Sequence, residues 1–460
     1  MRKYFFIFYA IGTVLILLFM YFTRDGKLIE EGPGSFFPLT LMIIALAWLG
    51  IGAISFIYNN FVTKGKLKLT ILIVFSLIFA FYLNNTRESH LAPWGDFGYY
   101  YKAAEKIHNN VSISIYYENA EKTSNSGYIY PPFLAIILSP LGVLGLGSAY
   151  ALFKTFNVLL ICIGFILLYK FLLDCKFPSE IALGLVLINA LINVPADRTV
   201  IYGQVNFLIL DLVLAAFLLY KKDSMIRIVF ASLFLAIAAH LKLIPVLLII
   251  PFIFIKDFKF IIIFIMWSLL IFASTLNITG FQVYGDFLEM AKIITGGSLR
   301  DTSFESFFKY SIRFFTGEMP PSVTVRNLAF IGKLVVLILG GTALFKSYLR
   351  DKDNLFTFSY FVILFVSIFL SPRVWPHIYI MTTPLIFLSL AYLPAKKIIL
   401  WIIVYTSFFL IPVFDIYPLS YHRLLCFIIF LCMLLNLKKN DEESILDWIK
   451  RYKNKDLTGF

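Results

Sequence analysis

One acidic residue, Asp96, lies between a Pro-Trp-Gly approach and a run of aromatic residues in the stretch APWGDFGYYYKAAEKI at 92–107. The spacing of the apolar residues that follow predicts a short helix, with Asp96 at the N-cap position, where Asp is favoured. The alternative is chemical. A carboxylate among aromatic side chains can act as a general base that takes a proton from an attacking hydroxyl. The local sequence leaves both interpretations open.

Further polar residues interrupt the apolar stretches, and several are of types that bind sugar hydroxyls. The amides of Gln204 and Asn206 both donate and accept hydrogen bonds. A tyrosine near Asp96 can stack against a sugar ring, or it can simply anchor the chain at the membrane interface. The residues predicted to bind the sugar or the acceptor are Tyr100, Tyr130, Gln204, Asn206 and His240.

Three side chains are candidates for binding a phosphate group: Lys242, Arg373 and His377. Lys242 lies between two apolar runs, where a positive charge needs an explanation. An anionic partner such as phosphate is one explanation, and snorkelling of the side chain to the membrane interface is an equally good one. Arg373 and His377 belong to the motif SPRVWPH. A guanidinium binds phosphate through several donors, and an imidazole can donate to an oxyanion or carry a proton.

The elements that must hold these side chains are membrane helices. The chain has 460 residues, of which 60% are hydrophobic and 15% are charged, and its mean hydropathy is +0.85. Apolar runs long enough to cross a bilayer recur along the whole chain, and helices satisfy the backbone within lipid. The predicted fold class is therefore an all-α polytopic transmembrane bundle, and a water-soluble domain is excluded.

Charge and cysteine content exclude two other classes of site. The net charge of +13 comes from short Lys and Arg clusters between the apolar runs, as the positive-inside bias predicts, so no nucleic-acid partner is expected. The spacing of the four cysteines suggests neither a disulfide framework nor a metal site. Because the histidines are scattered and no second acid stands beside Asp96, we expect neither a metal nor another cofactor.

The apolar runs predict about 14 spans, within a range of about 12 to 14. The first run follows two basic residues and is longer than a usual signal-peptide core, so we expect a retained span with its N-terminus in the cytoplasm. The predicted spans are 4–23, 36–58, 67–84, 149–172, 179–195, 204–220, 226–241, 243–256, 259–278, 326–346, 354–371, 375–393, 397–414 and 421–437.

This topology divides the chain into a membrane domain at 1–440 and a basic cytoplasmic tail at 441–460. Two long segments, a catalytic loop at about 85–148 and a second loop at about 279–325, then lie on the outer face. The polar interruptions map to the same face. Because polar groups near membrane depth tend to line a functional cavity, we predict an active site at the outer membrane interface.

The tail has Ile445, Trp448 and Ile449 on one side and basic residues on the other. This pattern is typical of a helix that lies on the cytoplasmic membrane surface, although a solvated tail fits it equally well. The composition, rich in Phe, Ile and Lys, is typical of an AT-rich bacterial genome. The expected location is therefore the bacterial inner membrane, with the site on the extracytoplasmic side.

The order of the motifs resembles glycosyltransferase family 87. This family of the C-type membrane glycosyltransferase superfamily includes polyprenyl-phosphate-mannose-dependent α-mannosyltransferases. The matching motifs are GDFGYYYKAA at 95–104, YIYPP at 128–132, YGQVN at 202–206, HLKLIP at 240–245, GGSLRDTSF at 296–304 and SPRVWPH at 371–377. The resemblance implies a helical bundle with a catalytic aspartate in an outer loop, and a sugar donor on polyprenyl phosphate that is reached from the lipid.

The resemblance also implies roles for individual residues. Asp96 matches the family's catalytic base, His377 matches a histidine near the donor phosphate, and Lys242 matches a basic position of a K-x-x-P type motif. The family's NQSL-like segment is Gly296-Gly297-Ser298-Leu299 here, so its amide is missing. The single acid favours a metal-independent mechanism. Attack opposite the leaving phosphate would invert the anomeric centre, and the resemblance implies mannose as the sugar and an envelope glycan or glycolipid as the acceptor.

Two other functions fit parts of the pattern. A transporter or flippase of a lipid-linked sugar would use the same groove and cations without a base, but such proteins more often show paired halves and a site near mid-membrane. A polymerase or ligase of lipid-linked glycans would have an outer loop rich in arginine. The second outer loop offers Arg300 and Arg313.

Overall fold

The computed structural model describes residues 95–110, 114–119, 121–122, 126–191, 193–221, 224–293, 298–350, 355–438 and 441–455. The predicted spans 4–23, 36–58 and 67–84, the loop residues 85–94, and Gly296 and Gly297 lie outside them. All regular elements of the described part are helical, which confirms the all-α prediction.

The first half of the described chain forms two short helices and then a series of apolar helices. Their bounds are α1 Phe97–His108, α2 Pro132–Leu138, α3 Leu146–Asp174, α4 Ser179–Leu191, α5 Val194–Ile201, α6 Asn206–Tyr220, α7 Met225–Leu241 and α8 Ile250–Phe254. Two 3₁₀ segments, Ser139–Val143 and Ile244–Ile249, follow α2 and α7.

The second half begins with the longest helix and ends with the tail helix. The bounds are α9 Phe258–Ile293, α10 Phe304–Thr316, α11 Ser322–Arg350, α12 Leu355–Leu370, α13 Thr383–Tyr392, α14 Ile398–Tyr405, α15 His422–Leu434 and α16 Ile445–Lys455. A 3₁₀ segment, Pro376–Thr382, precedes α13, and a π-helical turn, Thr406–Leu410, follows α14.

Three of these helices, α3, α9 and α11, are long and apolar enough to cross a membrane, and the bent pair α4–α5 gives a fourth if it counts as one span. The other apolar helices of the described part are shorter or broken. The chain is therefore a membrane protein, and the count of about 14 spans stays a prediction.

Particular residues set the ends and bends of the helices near the site. Pro132 opens α2 at a position where a missing N–H costs nothing. The side chain of Asn193 accepts from the Ala196 amide at 2.8 Å and caps α5. Gly280, with φ of 75° and ψ of 168°, bends α9, whose helical residues continue to Ile293. The predicted second outer loop therefore begins with helix.

The centre of the bundle is α12, which is buried along most of its length. Helices α6 and α7 pack against each other, and α9 and α11 complete the packing with large apolar side chains left exposed. Apolar surface on a membrane helix faces lipid and needs no protein cover. The aromatic rings of Phe217 and Phe361, 5.1 Å apart, join α6 to α12.

The tail forms a helix, α16, while its predicted place on the cytoplasmic membrane surface stays a prediction. Its residues Ile445 and Leu446 are buried against the bundle. Backbone hydrogen bonds from Ala395 N to Glu443 O and from Ile445 N to Leu393 O, both 2.9 Å, attach it beside α13. The apolar face of α16 thus contacts protein.

Candidate active site

Asp96 takes the predicted N-cap position of α1, but its side chain makes no capping hydrogen bond. The carboxylate instead accepts a hydrogen bond from the side-chain amide of Gln204, through Oδ2. The backbone N–H of Asp96 donates to the carbonyl of Tyr202 at 2.8 Å. Asp96 therefore holds the predicted N-cap position without capping the helix through its side chain, and the carboxylate faces the segment that precedes α6.

Two glycines allow this close approach. Gly95 has φ of +53°, and a Cβ there would lie 2.8 Å from the carbonyl oxygen of Tyr202. Gly203 has φ of +62°, and a Cβ there would lie 2.9 Å from Cβ of Phe97. Side chains other than glycine rarely adopt such φ values. Both glycines therefore hold the start of α1 against residues 202–204.

Gln204 is buried and its amide has three partners. Its Oε1 accepts from the hydroxyls of Tyr100, at 3.0 Å, and of Tyr130, at 2.8 Å. Because two donors occupy the oxygen, the amide nitrogen is directed at Asp96. The rings of the two tyrosines meet edge to face, 5.0 Å apart. Three residues predicted to bind sugar hydroxyls thus form the support of the Asp96 carboxylate.

This environment changes the acidity of Asp96. Burial raises the pKa of its carboxyl to about 6, while the Gln204 hydrogen bond and the charge of Lys242 act in the opposite direction. Burial disfavours the charged form of a carboxyl, and a hydrogen-bond donor or a nearby cation favours it. A carboxyl with a pKa of about 6 is ionised at neutral pH and still basic enough to take a proton.

Lys242 and Asn206 form a layer behind Tyr130. The Lys242 ammonium donates to Oδ1 of Asn206 at 3.2 Å, and it lies 5.6 Å from the centre of the Tyr130 ring. Asn206 in turn donates to the backbone carbonyl of His377 at 3.2 Å. Neither Lys242 nor Asn206 is one of the described residues that line the cavity around Asp96. The two side chains instead connect α7, α6 and the segment around His377.

Arg373 and His377 reach the same cavity as Asp96. The backbone of His377 is held by Asn206 and by the Thr199 hydroxyl, which donates to its carbonyl at 3.1 Å. Its ring meets the Tyr202 ring edge to face at 5.9 Å. The structure therefore joins two of the three predicted phosphate-binding residues directly to the cavity.

The cavity has a volume of about 670 Å³. Its lining residues are Asp96, Tyr99, Tyr100, Gly127, Ile129, Tyr130, Tyr202, Gln204, Met290, Ser298, Arg300, Arg373, Trp375, His377 and Asp415. A space of this size holds a small ligand such as a sugar phosphate. It combines a carboxylate, guanidinium donors and aromatic walls, which can take a proton, hold an oxyanion and face a sugar ring.

Some functional candidates differ from the sequence prediction. His240 packs edge to face on Phe133 at 6.0 Å and is not among the cavity-lining residues of the described chain. Arg300 and Asp415 line the cavity, but neither was among the predicted site residues. A lone acid in the connection between two predicted spans was the signal that could have drawn attention to Asp415.

The chain matches the model of a known protein family. The model of glycosyltransferase family 87 matches residues 128–372, more than half of the chain. The match includes Gln204 and Lys242, while Asp96 lies 32 residues before its start and His377 lies five residues after its end. No curated protein and no solved structure matches the chain. The motifs, the helical membrane fold and the family match lead to one assignment: this chain belongs to glycosyltransferase family 87.

Proposed function

We propose that this membrane glycosyltransferase moves a sugar, mannose in the first instance, from a polyprenyl-phosphate donor to a hydroxyl of an envelope glycan or glycolipid, without a metal. The observation that carries the proposal is the Asp96 carboxylate, oriented by Gln204, in one cavity with Arg373 and His377. A base for the acceptor and donors for the phosphate are the groups that this reaction needs.

In the proposed reaction, the acceptor hydroxyl gives its proton to Asp96 as its oxygen attacks the anomeric carbon of the sugar. The bond between that carbon and the phosphate oxygen breaks, and polyprenyl phosphate leaves with the bonding electrons. Arg373 and His377 donate to the phosphate as its charge grows. A single displacement inverts the anomeric centre, so a β-linked donor gives an α-linked product.

Lys242 takes a different part in this proposal from the one that the sequence suggested. Its ammonium is bound to Asn206, behind the tyrosine that supports Gln204. From this layer it acts on the reaction through its charge, which favours the ionised form of Asp96. The direct contacts to the donor phosphate are left to Arg373 and His377.

The test is Asp96→Asn in a transfer assay with a polyprenyl-phosphate sugar and membrane-reconstituted protein. Asparagine keeps an oxygen that can accept from Gln204, so the fold is preserved while the base is lost. We expect transfer to fall by roughly 10²- to 10⁴-fold, with an unchanged melting temperature. Transfer close to that of the wild type would refute the role of Asp96.

The same assay separates the enzyme from a carrier of lipid-linked sugars. Wild-type protein that forms no glycosidic bond with any donor, yet moves the lipid-linked sugar across a vesicle membrane, would contradict the proposal. Donors that differ only in the sugar, compared by product formation, identify the sugar that is transferred. Mannose, another hexose and arabinose are the first donors to compare.

A further inference from the structure

An ion pair at the cavity has no part in the reaction as proposed so far. Arg300 lies in the segment before α10, and Asp415 lies between α14 and α15. The Arg300 Nε is 2.8 Å from both carboxylate oxygens of Asp415, and its Nη2 is 2.5 Å from Oδ2. Both residues line the cavity, with 33% of the Arg300 side chain and 47% of the Asp415 side chain exposed. The pair is thus open to a ligand.

The backbone around Arg300 is firmly held. The Thr302 amide donates to the carbonyl of Val374 at 2.9 Å, and the Val374 amide donates to Oδ1 of Asp301 at 2.8 Å. Val374 directly follows Arg373, so these bonds place the Arg300 segment beside the segment of a proposed phosphate ligand. A group that is bound to the ion pair is therefore close to the phosphate end of the donor.

The charge of the pair argues against a second phosphate site. Asp415 neutralises the charge of the Arg300 guanidinium. A phosphate would be attracted by a guanidinium whose charge is not compensated by a carboxylate. The pair instead offers N–H donors and carboxylate lone pairs side by side. Adjacent hydroxyls of a pyranose both donate and accept, and therefore match such a pair. Tyr99, Tyr202 and Trp375 line the same cavity and provide aromatic faces for the ring.

We propose that Arg300 and Asp415 together form a binding site for adjacent hydroxyls of a neutral pyranose. This inference deepens the proposed function and rests on it for the identity of the ligand. Two sources have this chemistry, the transferred sugar of the donor and a sugar of the acceptor. Val374 is hydrogen-bonded to the segment of Arg300 and directly follows Arg373, a proposed phosphate ligand, which favours the donor sugar. The kinetic experiment below distinguishes the donor sugar from the acceptor sugar.

The binding test uses purified full-length protein and a methyl hexopyranoside, with thermal unfolding as the readout. We expect the glycoside to raise the melting temperature of the wild type, and its fully O-methylated form, which has no hydroxyl donors, to have no effect. Asp415→Asn should weaken glycoside binding by roughly tenfold. The matched control is Glu443→Gln, since Glu443 pairs with Arg451 at 3.0 Å away from the cavity.

Two results overturn the inference: no protection of the wild type by the glycoside, or equal protection of wild type and Asp415→Asn. If Asp415→Asn fails to fold, Arg300→Lys gives the answer, because lysine keeps the charge and loses the forked donors. Weakened binding by Arg300→Lys supports the site, and unchanged binding refutes it. This test needs no transfer, so it can succeed or fail independently of the proposed reaction.

Kinetics then identify the source of the sugar. If the pair binds the donor sugar, Asp415→Asn raises the KM for the donor and leaves the KM for the acceptor unchanged. A raised KM for the acceptor alone assigns the pair to the acceptor sugar. Unchanged values for both substrates would overturn a role in either, even where the isolated glycoside binds.

Discussion

At the scale of single residues, the proposed chemistry depends on the protonation of Asp96. Its pKa is raised to about 6 by burial, above the ordinary value of 3.8. A base must be ionised to act, so the active form predominates above pH 6 and is lost as the pH falls through it. We predict that kcat/KM decreases about tenfold per pH unit below pH 6. The measurement is the pH profile of transfer, and a flat profile down to pH 5 would contradict it.

The second prediction at this scale concerns Gln204. Its hydrogen bond lowers the pKa of Asp96, so Gln204→Leu should raise that pKa and move the acid limb of the profile to higher pH. The change also leaves the hydroxyls of Tyr100 and Tyr130 without their acceptor, and we expect transfer at pH 7 to fall by about tenfold or more.

The matched control for Gln204 is Gln282→Leu. Gln282 also donates to a carboxylate, Oδ1 of Asp286 at 3.1 Å, but neither residue lines the cavity. The control should keep both the rate and the pH profile. If the pH profile of Gln204→Leu has the same shape as that of the control, even with a lower rate, then Gln204 neither orients Asp96 nor lowers its pKa.

Residue types on the sequence identified much of the site, but not the roles within it. Asp96, Arg373 and His377 stood out because polar groups are rare in apolar surroundings, and all three line the cavity. The contact between Asp96 and Gln204 joins residues 108 positions apart. Such a pairing depends on tertiary packing, which spacing along a chain does not encode. The amide that was predicted to bind a sugar therefore proved to hold the carboxylate.

At the scale of elements, the junction between α1 and residues 202–204 determines where Asp96 lies. Gly95→Ala and Gly203→Ala should each destabilise the protein by about 1 to 3 kcal/mol. Both positions have positive φ, and the added Cβ would lie too close to the Tyr202 carbonyl oxygen or to Cβ of Phe97. The shift of α1 should also reduce transfer. Thermal unfolding and the transfer rate of the two variants measure these effects.

Gly341→Ala is the control for these glycine changes. Gly341 lies within α11, is exposed, and a Cβ there meets nothing within 4 Å. Alanine in a helix is favoured over glycine by about 0.5 to 1 kcal/mol, so the control should be slightly more stable and fully active. Equal behaviour of Gly95→Ala and the control would show that the close approach at Tyr202 does not matter.

Helices were easier to predict than their interruptions. Helices α3, α6 and α15 lie close to the predicted spans 149–172, 204–220 and 421–437, because long apolar runs indicate helices locally. The bend of α9 at Gly280 was not predicted, since an isolated glycine does not by itself mark a break within an apolar run. The 3₁₀ segment Ile244–Ile249 likewise stands where a continuous span was expected.

At the scale of the whole molecule, the cavity and the tail are separated by the bundle. Asp415 lines the cavity shortly before α15, and this helix of 13 residues leads away from it, a distance of about 20 Å. At its far end, the carbonyl of Leu435 accepts from Lys346 at 3.0 Å, and Lys396 pairs with Glu442 near the tail. Basic residues at this end agree with a cytoplasmic face.

The resulting prediction is that the cavity opens on the outer side of the membrane and the tail on the inner side. Single cysteines at Glu318→Cys, in the connection after α10, and at Asp441→Cys, just before α16, test it. Both positions are exposed. In a background with Cys175→Ser and Cys432→Ser, a membrane-impermeant maleimide should label the first in intact cells and the second only after the membrane is opened. Labelling of both cysteines in intact cells, or of the Asp441→Cys position alone, would overturn the topology, because the helix bundle should place the two cysteines on opposite sides of the membrane.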